Sequence, residues 1–186
     1  MSDQSYGDDA AADAELVRRW LGGDDRAATA IVARHASALA RFAASAGERE
    51  GVDELVQDTF VRAFNSLDSF RGESTLRTWL FTIERRLMLD RRRSERRQNA
   101  RVVAGEQPEA GSSAYDPLDA LVAQETEARV GAAMARLSPM QRDVFTLRVQ
   151  EGRSYKEIAE ILGSTEGAAR VHYHNAMRQI KERIDE

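Results

Sequence analysis

The stretch Ser154-Tyr155-Lys156-Glu157-Ile158-Ala159-Glu160-Ile161-Leu162-Gly163-Ser164-Thr165-Glu166-Gly167-Ala168-Ala169-Arg170 decides the fold. Ser154 with Glu157 three residues on is a capping box, which satisfies the orphan amide donors at a helix start. A short helix follows to Leu162. Gly163 ends it, because glycine takes the left-handed C-cap conformation without a Cβ clash. Ser164 or Thr165 then caps a last helix through about Ile184. Two helices joined by a short turn containing glycine make a helix-turn-helix. Ile158, Ala159 and Leu162 are expected to face the core, with Ala168 and Val171 facing back from the second helix. The outward face of that helix carries Arg170, Tyr173, His174, Asn175 and Arg178, with Glu166 and His172 nearby. Such donors, acceptors and rings read base edges and phosphates in a major groove.

Upstream of this motif, Ser138-Pro139-Met140-Gln141 is a second capping box, with proline at the first helical position. It opens a helix ending near Gly152, and Leu118–Leu137 reads as the helix before it. Residues 99–117 lose all periodicity and are rich in Gly, Pro, Ser, Ala and acidic side chains, the composition of a flexible linker. Ser74 or Thr75 starts a long helix through about Gln98, with Leu76, Leu80, Ile83 and Leu87 inward. Before it, Leu67 to Glu73 reads as a loop. Val52–Ser66 is a helix with Leu55, Val56, Phe60 and Phe64 on its apolar stripe, and Gly47 to Gly51 is a break. Asp24 or Asp25 caps a helix through Ala46 that carries Ile31, His35, Leu39 and Phe42. Asp13–Leu21 is the first helix, with Leu16, Val17, Trp20 and Leu21 on one face, and Gly22-Gly23 stops it.

The expected fold is all-α. Two small helical domains, residues 13–98 and 118–186, are joined by a flexible linker at 99–117. The second is the helix-turn-helix domain, and residues 1–12 are expected to be a disordered leader. There is no cysteine among the 186 residues, which excludes disulfides and thiolate metal sites and suits the cytoplasm. No apolar run is long enough to insert in a membrane, and the polar, acidic start lacks the features of a secretion signal.

The net charge of −4 hides a local excess of +6 over residues 71–101, inside a chain that is otherwise acidic. That pattern argues against indiscriminate coating of nucleic acid and for one defined phosphate contact. Arg85, Arg86, Arg91, Arg92, Arg93, Arg96, Arg97 and Arg101 supply most of it, and each guanidinium can fork onto phosphate oxygens. Just ahead lie Phe70, Arg71, Ser74, Arg77 and Trp79. Basic surface beside aromatic rings is the combination that holds single-stranded DNA. A charge run alone is more often a solvated helix end, and a lone Trp79 more often core than a stacking platform.

At this point the residues resemble a family, the extracytoplasmic-function, or group four, sigma factors of RNA polymerase. The resemblance rests on Asp53-Glu-Leu-Val-Gln-Asp-Thr-Phe-Val-Arg-Ala-Phe64, Leu67-Asp-Ser-Phe-Arg-Gly-Glu-Ser-Thr75 and Thr78-Trp-Leu80 for one conserved region. Leu137-Ser-Pro-Met-Gln-Arg-Asp-Val-Phe145 with Glu151-Gly-Arg-Ser-Tyr-Lys-Glu-Ile-Ala159 carries the other. It implies a transcription initiation factor that binds core RNA polymerase, on its beta and beta-prime subunits, and promoter DNA. Glu54, Gln57, Asp58 and Phe64 are then expected to dock on the polymerase clamp helices. The loop with Asp68, Phe70, Arg71 and Ser74 would trap a flipped base of the minus-ten element, since a base held out of its stack needs a shaped pocket. Arg77, Arg85, Arg86, Arg92 and Arg93 would hold the surrounding phosphates. Glu166, Arg170, His172, Tyr173, His174, Asn175 and Arg178 would read the minus-thirty-five element. The linker, with Glu106, Glu109 and Asp116, would thread toward the RNA exit path. The resemblance also implies an anti-sigma partner. The chain departs from the family pattern at Ala169, where valine is common, and at His172 and Asn175, where basic residues are. No appended regulatory module is expected after residue 186.

A different reading of the same residues is a free-standing helix-turn-helix regulator, which would bind duplex DNA without polymerase, usually as a dimer on a palindrome. An enzyme is the third class. His35 lies on an apolar helix face, as a core or boundary histidine does. His172 and His174 are two apart on a helix and do not share a face for chelation. With no phosphate-binding glycine loop and no nucleophile motif, no catalytic residue, no metal and no cofactor is expected.

Overall fold

A computed structural model of the chain describes residues 2–48, 51–101 and 131–184. Helix α1 spans Ser2–Leu21, α2 Asp25–Ser45, α3 Val52–Ser66 and α4 Leu76–Arg101, with a 3-10 turn at Leu67–Ser69. Residues 131–136 are helical. Then come α5, Pro139–Phe145, running into a wide π turn at Thr146–Gln150, α6, Tyr155–Leu162, and α7, Glu166–Ile184. Among the described residues there is no strand, and no helix is long and apolar enough to cross a membrane.

The first helix is longer than the expected Asp13–Leu21: α1 begins at Ser2. The physical reason is tertiary. Arg34 of α2 reaches Asp9 at 3.0 Å and Asp13 at 2.9 Å, and the buried His35 ring meets Asp13 at 3.1 Å. Asp24 caps α2 by accepting from the Arg26 amide. Thr75 caps α4, its hydroxyl accepting from the Thr78 amide, and Thr165 caps α7 by accepting from that of Ala168. Both capping boxes form as read, at Ser138 with Gln141 and at Ser154 with Glu157. Gly163 has φ +63°, the left-handed C-cap that any Cβ would strain. Helix α4 runs three residues past Gln98. The rest of the linker at 99–117, and most of the helix read at 118–137, lie outside the described residues.

Helices α1 to α4 form the first module. Their core is built on Ile31, Leu39, Phe42, Leu55, Leu80, Phe81 and Met88, with Phe42 edge-on to Phe81 at 5.4 Å. The second module has a small core of its own, Ala133, Leu137, Phe145, Ala176 and Ile180. Five more of its buried apolar residues, Val144, Leu147, Ile158, Ile161 and Ala169, join the cluster of the first module. The two modules therefore share one core. Val171, expected inward, is 58% exposed, and Ala169 is buried in its place. Likewise Leu21 is exposed, while Leu16 and Val17 hold the inner face of α1.

Candidate nucleic-acid interface

The loop between the 3-10 turn and α4 is built around one aromatic pair. The Phe70 amide donates to the Leu67 carbonyl, and Leu67 is buried, so the loop is pinned at its base. The Phe70 ring lies 5.3 Å from that of Trp79, tilted by 47°. Both are half-buried, which leaves ring surface in a cleft lined also by Arg71 and Ser74. Arg71 is exposed, as is Asp68 in the 3-10 turn before the loop. Rings that are partly packed and partly open can stack on a base, and the flanking hydroxyl and guanidinium can hold its backbone.

The arginines behind this loop do not act as one group. Arg86 and Arg93 are exposed on α4. Arg77 instead donates to His35 Nδ1 at 3.5 Å. Arg92 donates to Glu48 and to the Ala46 carbonyl, tying α4 to the end of α2. Arg85 is buried and meets Asp143 of α5 at 3.1 Å. These three were expected on phosphates. In this arrangement they serve the fold, because α4 is covered on a second side that its apolar stripe did not announce.

On α3, Glu54, Gln57 and Asp58 are exposed together. Arg91 of α4 lies within 3.4 Å of Glu54 and 3.2 Å of Asp58, so the acidic edge is partly matched from within. Phe64 is half-buried and packs on Trp20, ring centroids 5.0 Å apart.

On α7, Glu166, Arg170, His174 and Arg178 recur every four residues and are all exposed, so they form one edge. His172 and Asn175 flank it half-buried. Tyr173 faces inward, packed against both cores. The reading of the face missed two residues. Val171 stands on the exposed edge, where an aliphatic side chain can meet a thymine methyl. Tyr155 of α6 holds Arg170 by its ring, 4.8 Å from the guanidinium, with Arg148 at 4.9 Å. An aromatic at the start of the first helix of a helix-turn-helix was the available signal for it.

Between the modules runs a buried polar seam. Thr78 donates to Glu157 at 2.8 Å, and Arg41 forks onto Glu151 at 2.9 and 3.3 Å. Burial pushes the Glu84 carboxyl up to about 9, and the Glu151 charge adds to it. Burial also raises Asp143, outweighing the nearby Arg85, Arg92 and Arg142. Glu157 goes the other way. Burial alone would raise it, but hydrogen bonds from Ser154 and Thr78 and the Arg153 charge hold it below its ordinary value. Asp13 is likewise held low by His35 and Arg34 against its burial. Among the described residues no group of three or more His, Cys, Asp or Glu side chains could hold a metal.

Comparison with known proteins fits this layout. Residues 31–98 match the family Sigma-70 region 2, and residues 127–180 match Sigma-70, region 4. The ECF RNA polymerase sigma-E factor of Haemophilus influenzae is 30% identical, the match covering 92% of this chain and 95% of that protein. The RNA polymerase sigma factor CnrH of Cupriavidus metallidurans is 34% identical, over 94% and 95%. The solved structure of CnrH in complex with the cytosolic domain of CnrY superposes with TM-score 0.65 at 30% identity, covering 94% of this chain and 97% of that one. The sigma factor RpoE in complex with the anti-sigma factor NepR, from Bartonella quintana, gives TM-score 0.64 at 29% identity, over 84% and 96%. A region 2 ahead of a region 4 is not the make-up of a free-standing helix-turn-helix regulator. The chain belongs to the sigma-70 family, in its extracytoplasmic-function group, and is a sigma factor of transcription initiation.

Proposed function

We propose that this sigma factor binds core RNA polymerase through the exposed edge of α3, Glu54, Gln57 and Asp58, with Phe64 shaping the base of that surface. The loop of Asp68, Phe70, Arg71 and Ser74 receives a base of the minus-ten element as the strands part, and Arg86 and Arg93 steady the adjacent phosphates. The edge of α7, Glu166, Arg170, His174 and Arg178 with Val171, enters the major groove of the minus-thirty-five element. The factor does no covalent chemistry and needs no cofactor. It works in the cytoplasm, and, as with the RpoE solved with the anti-sigma factor NepR, an anti-sigma protein holds it inactive.

The observation that carries this reading is the Phe70–Trp79 pair, half-open in a cleft beside Arg71 and Ser74. The test is run-off transcription with core polymerase on a genomic library, with the start sites sequenced, beside gel shifts on duplex fragments carrying those starts. Defined starts that need the added chain, and duplex binding that needs core polymerase, are expected. Equal duplex binding without polymerase would overturn the proposal.

A further inference from the structure

Arg170 is exposed on α7, and among the described residues its guanidinium makes no hydrogen bond and no ion pair. A long side chain left to itself samples many rotamers, and the guanidinium fork must be ordered before it can meet a base edge. A ring does the ordering. The Arg170 guanidinium lies over Tyr155, 4.8 Å from the ring centroid. The negative face of an aromatic ring attracts a cation placed there.

Tyr155 is itself held from several directions. It is the first residue of α6, directly after the cap at Ser154, whose box with Glu157 fixes the start of that helix. Tyr173 meets its ring edge-on at 6.0 Å and 67°, and Tyr173 is packed against both cores. Arg148, on the wide π turn Thr146–Gln150, lies over the same ring at 4.9 Å and donates to the Arg153 carbonyl at 2.8 Å. Two guanidiniums on one ring repel each other. Arg148 is the tethered one, so Arg170 is confined to the place left to it.

We infer that Tyr155 is a positioning residue for base choice: its ring face presets the Arg170 guanidinium on the recognition edge, so discrimination at the base pair Arg170 reads depends on a side chain of the preceding helix. A donor ordered before binding loses less freedom on meeting its base. This rests on the reading of α7 as the helix that enters the major groove.

The test uses the full chain bound to core polymerase, on duplexes of the upstream element with each base pair replaced in turn, at one salt concentration. The readout is the ratio of affinities at each position. Arg170→Ala is expected to flatten the preference at one base pair about tenfold. Tyr155→Leu should flatten it at that same base pair about threefold and leave the others unchanged. Tyr155→Phe keeps the ring and lacks only the hydroxyl, and should retain the wild-type preference. Pentafluorophenylalanine at position 155 keeps the ring shape and reverses its quadrupole, and should behave as Tyr155→Leu does even if the leucine variant folds poorly. In the Arg170→Ala background, Tyr155→Leu should add nothing. Equal weakening on every duplex, with the preference intact, makes Tyr155 a general contact and overturns the inference. A loss with Tyr155→Phe as large as with Tyr155→Leu assigns the effect to the hydroxyl and overturns it too. Wild-type preference with the fluorinated ring does the same. If Arg170→Ala changes no preference at all, the reading of Arg170 on α7 fails and takes this inference with it.

Discussion

Glu84 is buried on α4 with neither carboxyl oxygen hydrogen-bonded among the described residues. Burial raises its pKa from the ordinary 4.5 to about 9, so between those values the folded chain holds a proton that the unfolded chain releases. The stability this group contributes is complete below about pH 4.5 and drains away as pH rises through 9. Glu84→Gln keeps the shape and removes the titration. Its melting temperature should match wild type near pH 4 and exceed it increasingly from pH 6 to 9, by the equivalent of about 1–3 kcal/mol at pH 8. Identical pH profiles for the two proteins would contradict the burial argument. In the loop, Phe70→Ala or Arg71→Ala should leave polymerase binding intact and reduce permanganate reactivity of the promoter bubble. Normal reactivity in both variants counts against the role given to the loop. The loop residues were legible as sequence, because glycine and polar punctuation mark them. The separate fates of Arg77, Arg85 and Arg92 were not, because a guanidinium on phosphate and one on a buried carboxylate look alike in a string of letters.

Helices tell a similar story one level up. The caps at Ser138, Ser154 and Gly163 follow from bonds made within four residues, and they form where the sequence puts them. On α7, four-residue recurrence correctly brought Glu166, Arg170, His174 and Arg178 to one edge. It misjudged Val171 and Tyr173, since apolar character was read as inward and a hydroxyl as outward, whereas the packing of Tyr173 between two clusters decided otherwise. Arg170 sits on that edge steadied by Tyr155. Arg170→Ala should weaken duplex binding at the upstream element by about 1–3 kcal/mol, the range for loss of a base-edge contact. Titration of the polymerase-bound factor on upstream duplex reads it, and an unchanged footprint there would remove this arginine from the recognition edge.

For the whole molecule, the shared core has a thermodynamic consequence. Val144, Leu147, Ile158 and Ile161 of the second module belong to the cluster that holds Phe42 and Phe81 of the first. Scanning calorimetry should therefore show one endotherm, with calorimetric and van't Hoff enthalpies in agreement. Two resolved endotherms would mean that the modules melt as strangers. The all-α class, the capping boxes, the helix-turn-helix and the basic segment needed only the sequence, because periodicity, caps and local charge act within a few residues of each other. What the tertiary structure alone decided is the second coverage of α4: that Glu84 and Arg85 leave water, that Asp143 is the partner of Arg85, and that α1 extends back to Ser2 under the hold of Arg34. Those outcomes depend on groups brought together from distant points of the chain, and no local pattern records which side of a helix a remote helix will cover.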